Sequence, residues 1–456
     1  MESSLDPFFN PRSIAVVGAS AVPGKLSRII MESLDRSGFA GEVYPVNPKY
    51  SEVMGRRCYP DIGSIGECVD LAVFAVPASA AVRLMKEASG RVRGAIVISG
   101  GFSETGREGR AAEEELKRAA KEGGVRVIGP NCMGIYDTVS SVDTLFVPED
   151  RVRRPPKGSI AVLSQSGSFA LTAMDELAAE SIGVSRVVSY GNKIDVSEAD
   201  CLEFLADDDA TRAVVLYIEG INDGRRFVEA AKRCSEKKTL MALKVGRHGA
   251  GKRAASSHTG AIAGRYELYR AAFKKASIIE LSGYEDIIDG CRALAANDPV
   301  DGRRVMIVTD GGGMGVGIAD ACSEVGLVVV PLPEEKKEVL RPVFPGYFTV
   351  NNPLDLTGSV TDEWFEKALS VALDGDDYDL AIVAALWGPP HLTDRLPERL
   401  AGAARSSGKP VIVCSPGGEY TRKRRALFED AGLAVFSTPE SAVRAASILL
   451  ARGVQR

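Results

Sequence analysis

Residues 14–25 read Ile14-Ala15-Val16-Val17-Gly18-Ala19-Ser20-Ala21-Val22-Pro23-Gly24-Lys25, and this stretch decides the fold class. Its apolar, largely β-branched opening predicts a buried strand, the glycine a tight turn, and the run Ser27–Asp35 a helix. Strand, glycine turn and helix in that order open a doubly wound α/β sheet. The turn also implies chemistry. Gly18 and Gly24 let backbone approach a pyrophosphate, and the helix start offers amide donors and partial positive charge.

Two better-known phosphate signatures fail at this turn. GxGxxG is absent because Ser20 stands where its second glycine belongs. A P-loop is absent because the interval from Gly18 to Gly24 is one residue too long, and Leu26 follows Lys25 in place of Ser or Thr. An NAD fold also wants an acidic residue at the end of the second strand, to hold the ribose hydroxyls. Here that strand ends Tyr44-Pro45-Val46-Asn47-Pro48-Lys49. An amide and a cation suit a ribose that itself carries a phosphate, as in coenzyme A. The plainer alternative is that Gly18 only permits close strand–helix packing.

Outward from this unit, short β-branched runs alternate with longer amphipathic segments, the signature of α/β units on parallel sheets. Strands are expected at Ile14–Val17, Val43–Val46, Leu71–Val76, Ala95–Ile98 and Val125–Ile128, with helices at Ala80–Ala88 and Gly109–Lys121 between them. A second series follows the basic, proline-containing linker Arg153–Gly158: Ile160–Leu163, Arg186–Ser189, Ala213–Ile218, Thr239–Val245 and Ile278–Leu281. A third follows Asn297–Gly302: Val305–Val308, Leu327–Val330, Leu380–Ala384, Val411–Cys414 and Ala434–Phe436. The expected domains are therefore 1–150, 151–298 and 299–456. Each opens with a strand and a Gly/Ser-rich turn: Gly18-Ala19-Ser20, Ser164–Ser168 and Thr309–Gly313.

Composition removes several classes. The longest apolar runs are far short of the roughly 20 residues a membrane helix needs, and Met1–Pro11 carries Glu2 and Asp6 with no apolar core, so no secretory signal is expected. The net charge of −5 is spread without a long basic block, which argues against nucleic acid. The eight cysteines sit singly, with no CxxC and no His at ligand spacing, so neither a disulfide scaffold nor a metal site is expected. The cytoplasm is the expected compartment, with no membrane partner.

The chain has three histidines, His248, His258 and His391. Residues 246–264 hold five glycines and almost no bulky apolar groups, and loops this long in compact domains are functional or disordered. Gly246 to Lys252 matches GxxxxGK, but Arg253 replaces the magnesium-holding hydroxyl. His258 is flanked by Ser256, Ser257, Thr259 and Gly260, small groups able to cradle an anion. A neutral imidazole is a competent nucleophile when an acceptor fixes its other nitrogen. Glu219, just past the strand Ala213–Ile218, is the acceptor this architecture offers. The alternative is an exposed loop histidine of no consequence.

At this point the residues resemble a family. Ser13–Ser20, Val46-Asn47-Pro48, Ile98–Phe102, Gly129-Pro130-Asn131-Cys132-Met133-Gly134, Ser164–Phe169, Tyr190-Gly191-Asn192 and above all Ser257-His258-Thr259-Gly260 match the CoA-binding (α) subunit of NDP-forming acyl-CoA synthetases. These are typified by ADP-forming acetyl-CoA synthetase and related to succinyl-CoA synthetase. The resemblance covers essentially the whole chain. It implies a Rossmann-like CoA-binding domain followed by two flavodoxin-like, doubly wound domains. It further implies a phosphorylated histidine at His258, a supporting glutamate at Glu219, and conversion of acyl-CoA, NDP and phosphate to acid, CoA and NTP.

The candidate sites follow. CoA is expected on Gly18, Ser20, Gly24, Lys25, Asn47, Pro48, Lys49, Val76, Pro77, Ser99 and Gly100, and phosphate on Ser166, Gly167 and Ser168 at a helix start. Against the phosphate site stands a plain N-cap role for Ser168. Asn131, Cys132, Met133, Gly191 and Asn192 are expected to line the acyl pocket; a nucleophilic role for Cys132 is disfavoured. Family members perform the nucleotide step on an ATP-grasp module, for which the three α/β blocks leave no stretch. A separate ATP-grasp β subunit carrying Mg²⁺ with ADP or ATP is therefore expected, in an α2β2 assembly. The third block departs from the family wording, which has an Asn near Asp310 and often a Pro near Met314, although Asn351–Gly358 matches. That block is assigned to subunit contact and scaffolding. A non-catalytic CoA-binding protein and an NAD-dependent oxidoreductase are the alternatives.

Overall fold

The computed structural model describes residues 4–251 and 265–450. They form two compact units, up to Ser282 and from Gly283 onward. The first unit holds two sheets. One runs β2-β1-β5-β6-β7, with β1 (Ser13–Val17), β2 (Glu42–Val46), β5 (Val69–Phe74), β6 (Val92–Val97) and β7 (Arg126–Ile128) all parallel. A small hairpin, β3 (Glu52–Val53) and β4 (Arg56–Arg57), sits outside it. The other runs β14-β13-β12-β10-β11-β8-β9. Its parallel part is β10 (Lys157–Ser164), β11 (Val184–Ser189), β12 (Ala213–Ile218), β13 (Thr239–Lys244) and β14 (Ile278–Glu280). The hairpin β8 (Gly134–Asp137) and β9 (Val142–Asp143) adds two antiparallel strands beside β11.

The second unit repeats the plan as β16-β15-β18-β19-β20, with β15 (Arg304–Thr309), β16 (Val328–Val329), β18 (Leu380–Ala384), β19 (Val411–Cys414) and β20 (Ala434–Phe436). The two-residue β17 (Leu354–Asp355) pairs with the end of β15. Numbered within each sheet, all three parallel sheets have the order 2-1-3-4-5. That order has its switch point between the first and third strands, where ligands of doubly wound folds bind.

The local reasons are those of sequence periodicity. β1 is buried at every position, as a central parallel strand requires. Helix Leu26–Arg36 buries Ser27, Ile30, Met31 and Leu34, the i, i+3, i+4, i+7 stripe. Helix Asp362–Leu373 buries Phe365, Ala368, Leu369 and Ala372 at the same spacing, and the Thr361 side chain caps it by accepting from Trp364 N at 3.3 Å. Among the described residues no helix is long and apolar enough to cross a membrane.

Space divides the chain differently from sequence order at two places. The strands at 134–143 precede the linker, yet they extend the second sheet. The side chain of the linker's Arg154 is buried, bonding Asp143 at 2.8 Å and the carbonyls of Val152 and Val147. Helix Glu285–Ala296 precedes residue 299, yet packs against helix Pro439–Leu449 in the second unit, where Arg444 pairs with Asp286 at 3.0 Å and Asp289 at 3.1 Å.

Arg186, in the middle of β11, ties the start of the chain to the second sheet. Its Nε lies 2.9 Å from Asp137, a second nitrogen bonds Asp208, and its guanidinium rests 5.3 Å from the rings of both Phe9 and Phe204. Its side chain is 3% exposed, so removing it strands a buried carboxylate. Arg186→Ala should therefore lose about 3–5 kcal/mol of stability, read from urea unfolding.

Asp310, which follows β15, gives a pH-dependent counterpart. Burial pushes its carboxyl up to about 7, against the hydrogen bond from Leu386 N. A folded pKa above the unfolded value means that stability is lost as pH rises between about 4 and 7. Asp310→Asn keeps an acceptor oxygen without the charge. Its stability relative to the parent should be greater at pH 8 than at pH 5, compared by unfolding at both pH values.

Candidate functional site

At the open end of the first sheet, the turn after β1 is held by Gly18 N and Ala19 N donating to the Val46 carbonyl at 2.9 and 3.2 Å. Asn47 closes it from β2: its Nδ2 donates to the Ala19 carbonyl at 2.7 Å, and its Oδ1 accepts from Lys49 N at 3.0 Å. Gly18 has φ +88°, and a Cβ there would lie 2.6 Å from Val76 Cγ1 and 2.7 Å from the Ala75 carbonyl oxygen. The close approach that demands glycine is thus to the residues trailing β5, across the switch point. Ser20 Oγ accepts from Val22 N at 3.1 Å, while Gly24, Lys25, Pro48 and Lys49 are exposed along the same rim. Ser99 donates its hydroxyl to the Val76 carbonyl, and Asn131 N donates to the Ser99 carbonyl at 2.9 Å. The hydrogen-bonded turn of Gly18 and Asn47 and the hydrogen-bonded run Val76, Ser99 and Asn131 thus meet at the close approach of Gly18 to Val76, with Pro77 and Gly100 beside their neighbours in sequence.

The ends of β7 and β11 interlock. Asn192 N donates to the Pro130 carbonyl at 2.9 Å and Ile194 N to the Gly129 carbonyl at 3.1 Å. Gly191, with φ +54°, has no room for a Cβ, which would fall 2.3 Å from the carbonyl oxygens of both Pro130 and Asn131. Asn131 Nδ2 reaches Asn192 Oδ1 at 3.3 Å. Asn192 Nδ2 in turn donates toward Glu104 at 2.9 Å and Glu113 at 2.7 Å. Burial opposes the charge of Glu104, but the Asn192 amide and the backbone N–H groups of Phe102 and Gly101 outweigh it and hold the carboxyl below its ordinary range.

In the second sheet, β10 ends in Ser164 and turns into helix Gly167–Ala179. The Ser164 hydroxyl donates to the Ser166 carbonyl at 2.7 Å and accepts from Ser166 N at 3.1 Å, which fixes the turn. Ser166, not Ser168, is the N-cap: its Oγ accepts from Phe169 N at 3.3 Å. The Ser168 hydroxyl lies 3.1 Å from Ser166 Oγ and is exposed at the helix start. Gly167 leaves space that Met133 fills, since a Cβ there would lie 2.5 Å from Met133 Cγ. The start of this helix, the Met133 side chain and the Asn131–Asn192 pair therefore border one another.

Glu219 follows β12, the strand beside β10, and is 8% exposed. On its other side Val245 N donates to the Ile218 carbonyl at 3.1 Å, so the chain leaving β13 toward residue 258 starts next to Glu219. His258 itself lies outside the described residues, as do Lys252 and Arg253 of the GxxxxGK match.

Residues 12–138 match the CoA binding domain family, residues 157–294 the succinyl-CoA ligase like flavodoxin domain, and residues 305–455 the ligase-CoA domain. The α subunit of acetate–CoA ligase [ADP-forming] I from Pyrococcus furiosus is 37% identical, over 98% of this chain and 97% of that subunit. The chain belongs to the ADP-forming acetate–CoA ligase family. Acetate–CoA ligase [ADP-forming] I of Archaeoglobus fulgidus is 38% identical over 98% of this chain, which spans 63% of that protein's length. Among solved structures, acetyl-coenzyme A synthetase 1 of Ca. Korarchaeum cryptofilum, in complex with phosphate and ADP, superposes with a TM-score of 0.93. The two are 35% identical over 99% of this chain and 97% of that one.

Of the residues expected at the acyl pocket, one is buried away from any opening. Cys132 faces the core at 3% exposure with its Sγ 3.4 Å from the Val97 carbonyl, so it lines no open pocket. Gln165, inside the Ser164–Phe169 motif, and Lys193 and Lys244, outside any motif, bond the backbone of Glu219 and Gly220. Two signals pointed to the lysines: a cation closing the apolar strand Thr239–Lys244, and another directly after Tyr190-Gly191-Asn192. Burial pushes the Cys132 thiol up to about 12. Iodoacetamide at pH 8 should accordingly modify the exposed Cys68 and spare Cys132 until denaturant is added, as read by peptide mass mapping.

Proposed function

We propose that this chain is the α subunit of an ADP-forming acyl-CoA synthetase of the acetate–CoA ligase type. It works through an acyl phosphate and a phosphohistidine at His258. A phosphate oxygen attacks the thioester carbonyl carbon, the C–S bond breaks, and CoA leaves as the thiol. The imidazole nitrogen of His258 then attacks phosphorus, the acyl C–O–P link breaks on the phosphorus side, and the carboxylate leaves. A β-phosphate oxygen of ADP attacks the phosphohistidine, the N–P bond breaks, and ATP forms. The reaction is reversible at each step.

In this reading the strand ends of the first sheet, from Gly18 to Ser99, carry CoA. The turn Ser166-Gly167-Ser168 holds phosphate at a helix start, and Glu219 accepts from one nitrogen of the His258 ring so that the other presents its lone pair. Asn131, Met133, Gly191 and Asn192 border the acyl group. The nucleotide, with Mg²⁺, binds mainly on a separate ATP-grasp β subunit in an α2β2 assembly. The observation that carries the reading is the convergence at adjacent strand ends of the carboxylate Glu219, the serine turn and the strand leading to His258. The family membership of the whole chain supports it independently.

The test is a radiolabel. With an acyl-CoA and ³²P-phosphate, the full chain with its partner should acquire an acid-labile, base-stable label that His258→Ala abolishes. Glu219→Gln should slow labelling by about 10²-fold or more while CoA affinity stays within about twofold. Absence of label on the parent chain with every acyl-CoA tried would overturn the proposal. Equal loss of labelling and of CoA affinity in Glu219→Gln would make Glu219 structural.

A further inference from the structure

Beyond the end of β12, the dipeptide Glu219-Gly220 has each of its four backbone polar groups bonded to a side chain. Gln165 Oε1 accepts from Glu219 N at 2.5 Å and from Gly220 N at 2.8 Å. Lys244 Nζ donates to the Glu219 carbonyl at 2.9 Å. Lys193 Nζ donates to the Gly220 carbonyl and is itself held by both carboxylate oxygens of Glu198, at 2.9 and 3.2 Å. The grip extends one residue further: Ile221 N donates to the Tyr269 hydroxyl at 3.3 Å, and the Lys244 ammonium lies 4.6 Å from the centre of the Tyr269 ring.

The three gripping side chains follow or end three different strands, β10, β11 and β13, so the dipeptide is fixed from both sides of its own strand. Lys193 is 7% exposed and Lys244 2%. Burying a lysine is costly unless its charge is paired and hydrogen-bonded, and two are buried here around a single dipeptide. A strand that merely ended would need neither, because water satisfies the backbone groups of an exposed terminus. Fixed backbone on both sides of one Cα leaves the Glu219 side chain only its own rotamers. Catalytic contacts lose on the order of 10²-fold from a displacement of about 1 Å.

We infer that Gln165, Lys193 and Lys244 are positioning residues that hold the Glu219 carboxylate at the place where it meets the His258 ring. The inference rests on the roles of Glu219 and His258 proposed above. Gln165 also lies between Ser164 and Ser166, the residues that shape the serine turn. One side chain therefore fixes the distance between the phosphate turn and the carboxylate.

Single-turnover labelling of the full chain by acyl-CoA and ³²P-phosphate tests this. The variants are Gln165→Leu, Lys244→Met, Glu219→Ala, and Glu219→Ala combined with each of the first two. Gln165→Leu is expected to slow labelling on the order of 10- to 100-fold and to leave the half-saturating acyl-CoA concentration within about twofold. Lys244→Met, which frees the other side of the dipeptide, is expected to do the same and serves if Gln165→Leu does not fold. Residues that act only through Glu219 add nothing once it is gone, so each combined variant should label at the rate of Glu219→Ala alone. Losses that multiply in the combined variants, or unchanged labelling in both single variants, would overturn the clamp while leaving His258 intact. A parent chain that takes no label would instead overturn the phosphohistidine chemistry itself.

Discussion

A parallel strand that ends at a switch point exposes backbone N–H groups which its neighbours in the sheet no longer pair. In the second and third sheets, the residue just after the first strand supplies the acceptor. Gln165 follows Ser164 and bonds the N–H groups of Glu219 and Gly220 beyond β12. Asp310 follows Thr309 and bonds Leu386 N beyond β18 with both carboxylate oxygens, at 3.1 and 3.0 Å. The strand-ending hydroxyl repeats as well. Thr309 Oγ1 donates to the Gly311 carbonyl and accepts from Gly311 N, each at 3.0 Å, as Ser164 does with Ser166. This closure sets where the following helix begins and where the third strand's trailing residues point, and the site is built on both.

The first sheet meets the same constraint by subtraction. Gly18 yields its Cβ so that the turn after β1 can lie against Ala75 and Val76. An amide from the neighbouring strand, Asn47, then pins the turn carbonyl. The result is an edge with backbone close to the surface, suited to a pyrophosphate. In the second sheet the acceptor side chain is instead present and the edge carries a carboxylate. Two solutions to one backbone problem thus give neighbouring edges different chemistry, a glycine turn pinned by an amide at one and a buried carboxylate at the other.

Much of this was legible in the sequence because parallel strands buried on both faces need uninterrupted β-branched runs. Ala213–Ile218, Leu380–Ala384 and Val411–Cys414 fall where their composition puts them. The hairpin at 134–143 was not, because Gly134-Ile135-Tyr136-Asp137 and Val142-Asp143 are too short and polar to stand out. Both strands are buried except at Tyr136, but β11, the strand that β8 pairs with, lies some fifty residues away. The burial of the Arg154 side chain within the linker Arg153–Gly158 was not legible for a related reason: its partner is Asp143, in the hairpin that the sequence did not reveal.

The site divides along the same line. Turns built on small residues leave glycine and serine signatures, and those were readable as Gly18 and Ser166-Gly167-Ser168. Residues that bond other protein groups leave only weak ones. Gln165, Lys193 and Lys244 are ordinary in type, and their meaning comes from which strands are adjacent, a property of register rather than of spacing. Asp310 shows the limit from the other side. It lies beside a glycine-rich turn, its oxygens are engaged with Leu386 N, and what the position requires is an acceptor rather than a charge. An Asn, which the family wording has near this position, would meet the same requirement at it. The departure therefore changes the electrostatics of that switch point without changing how it is closed.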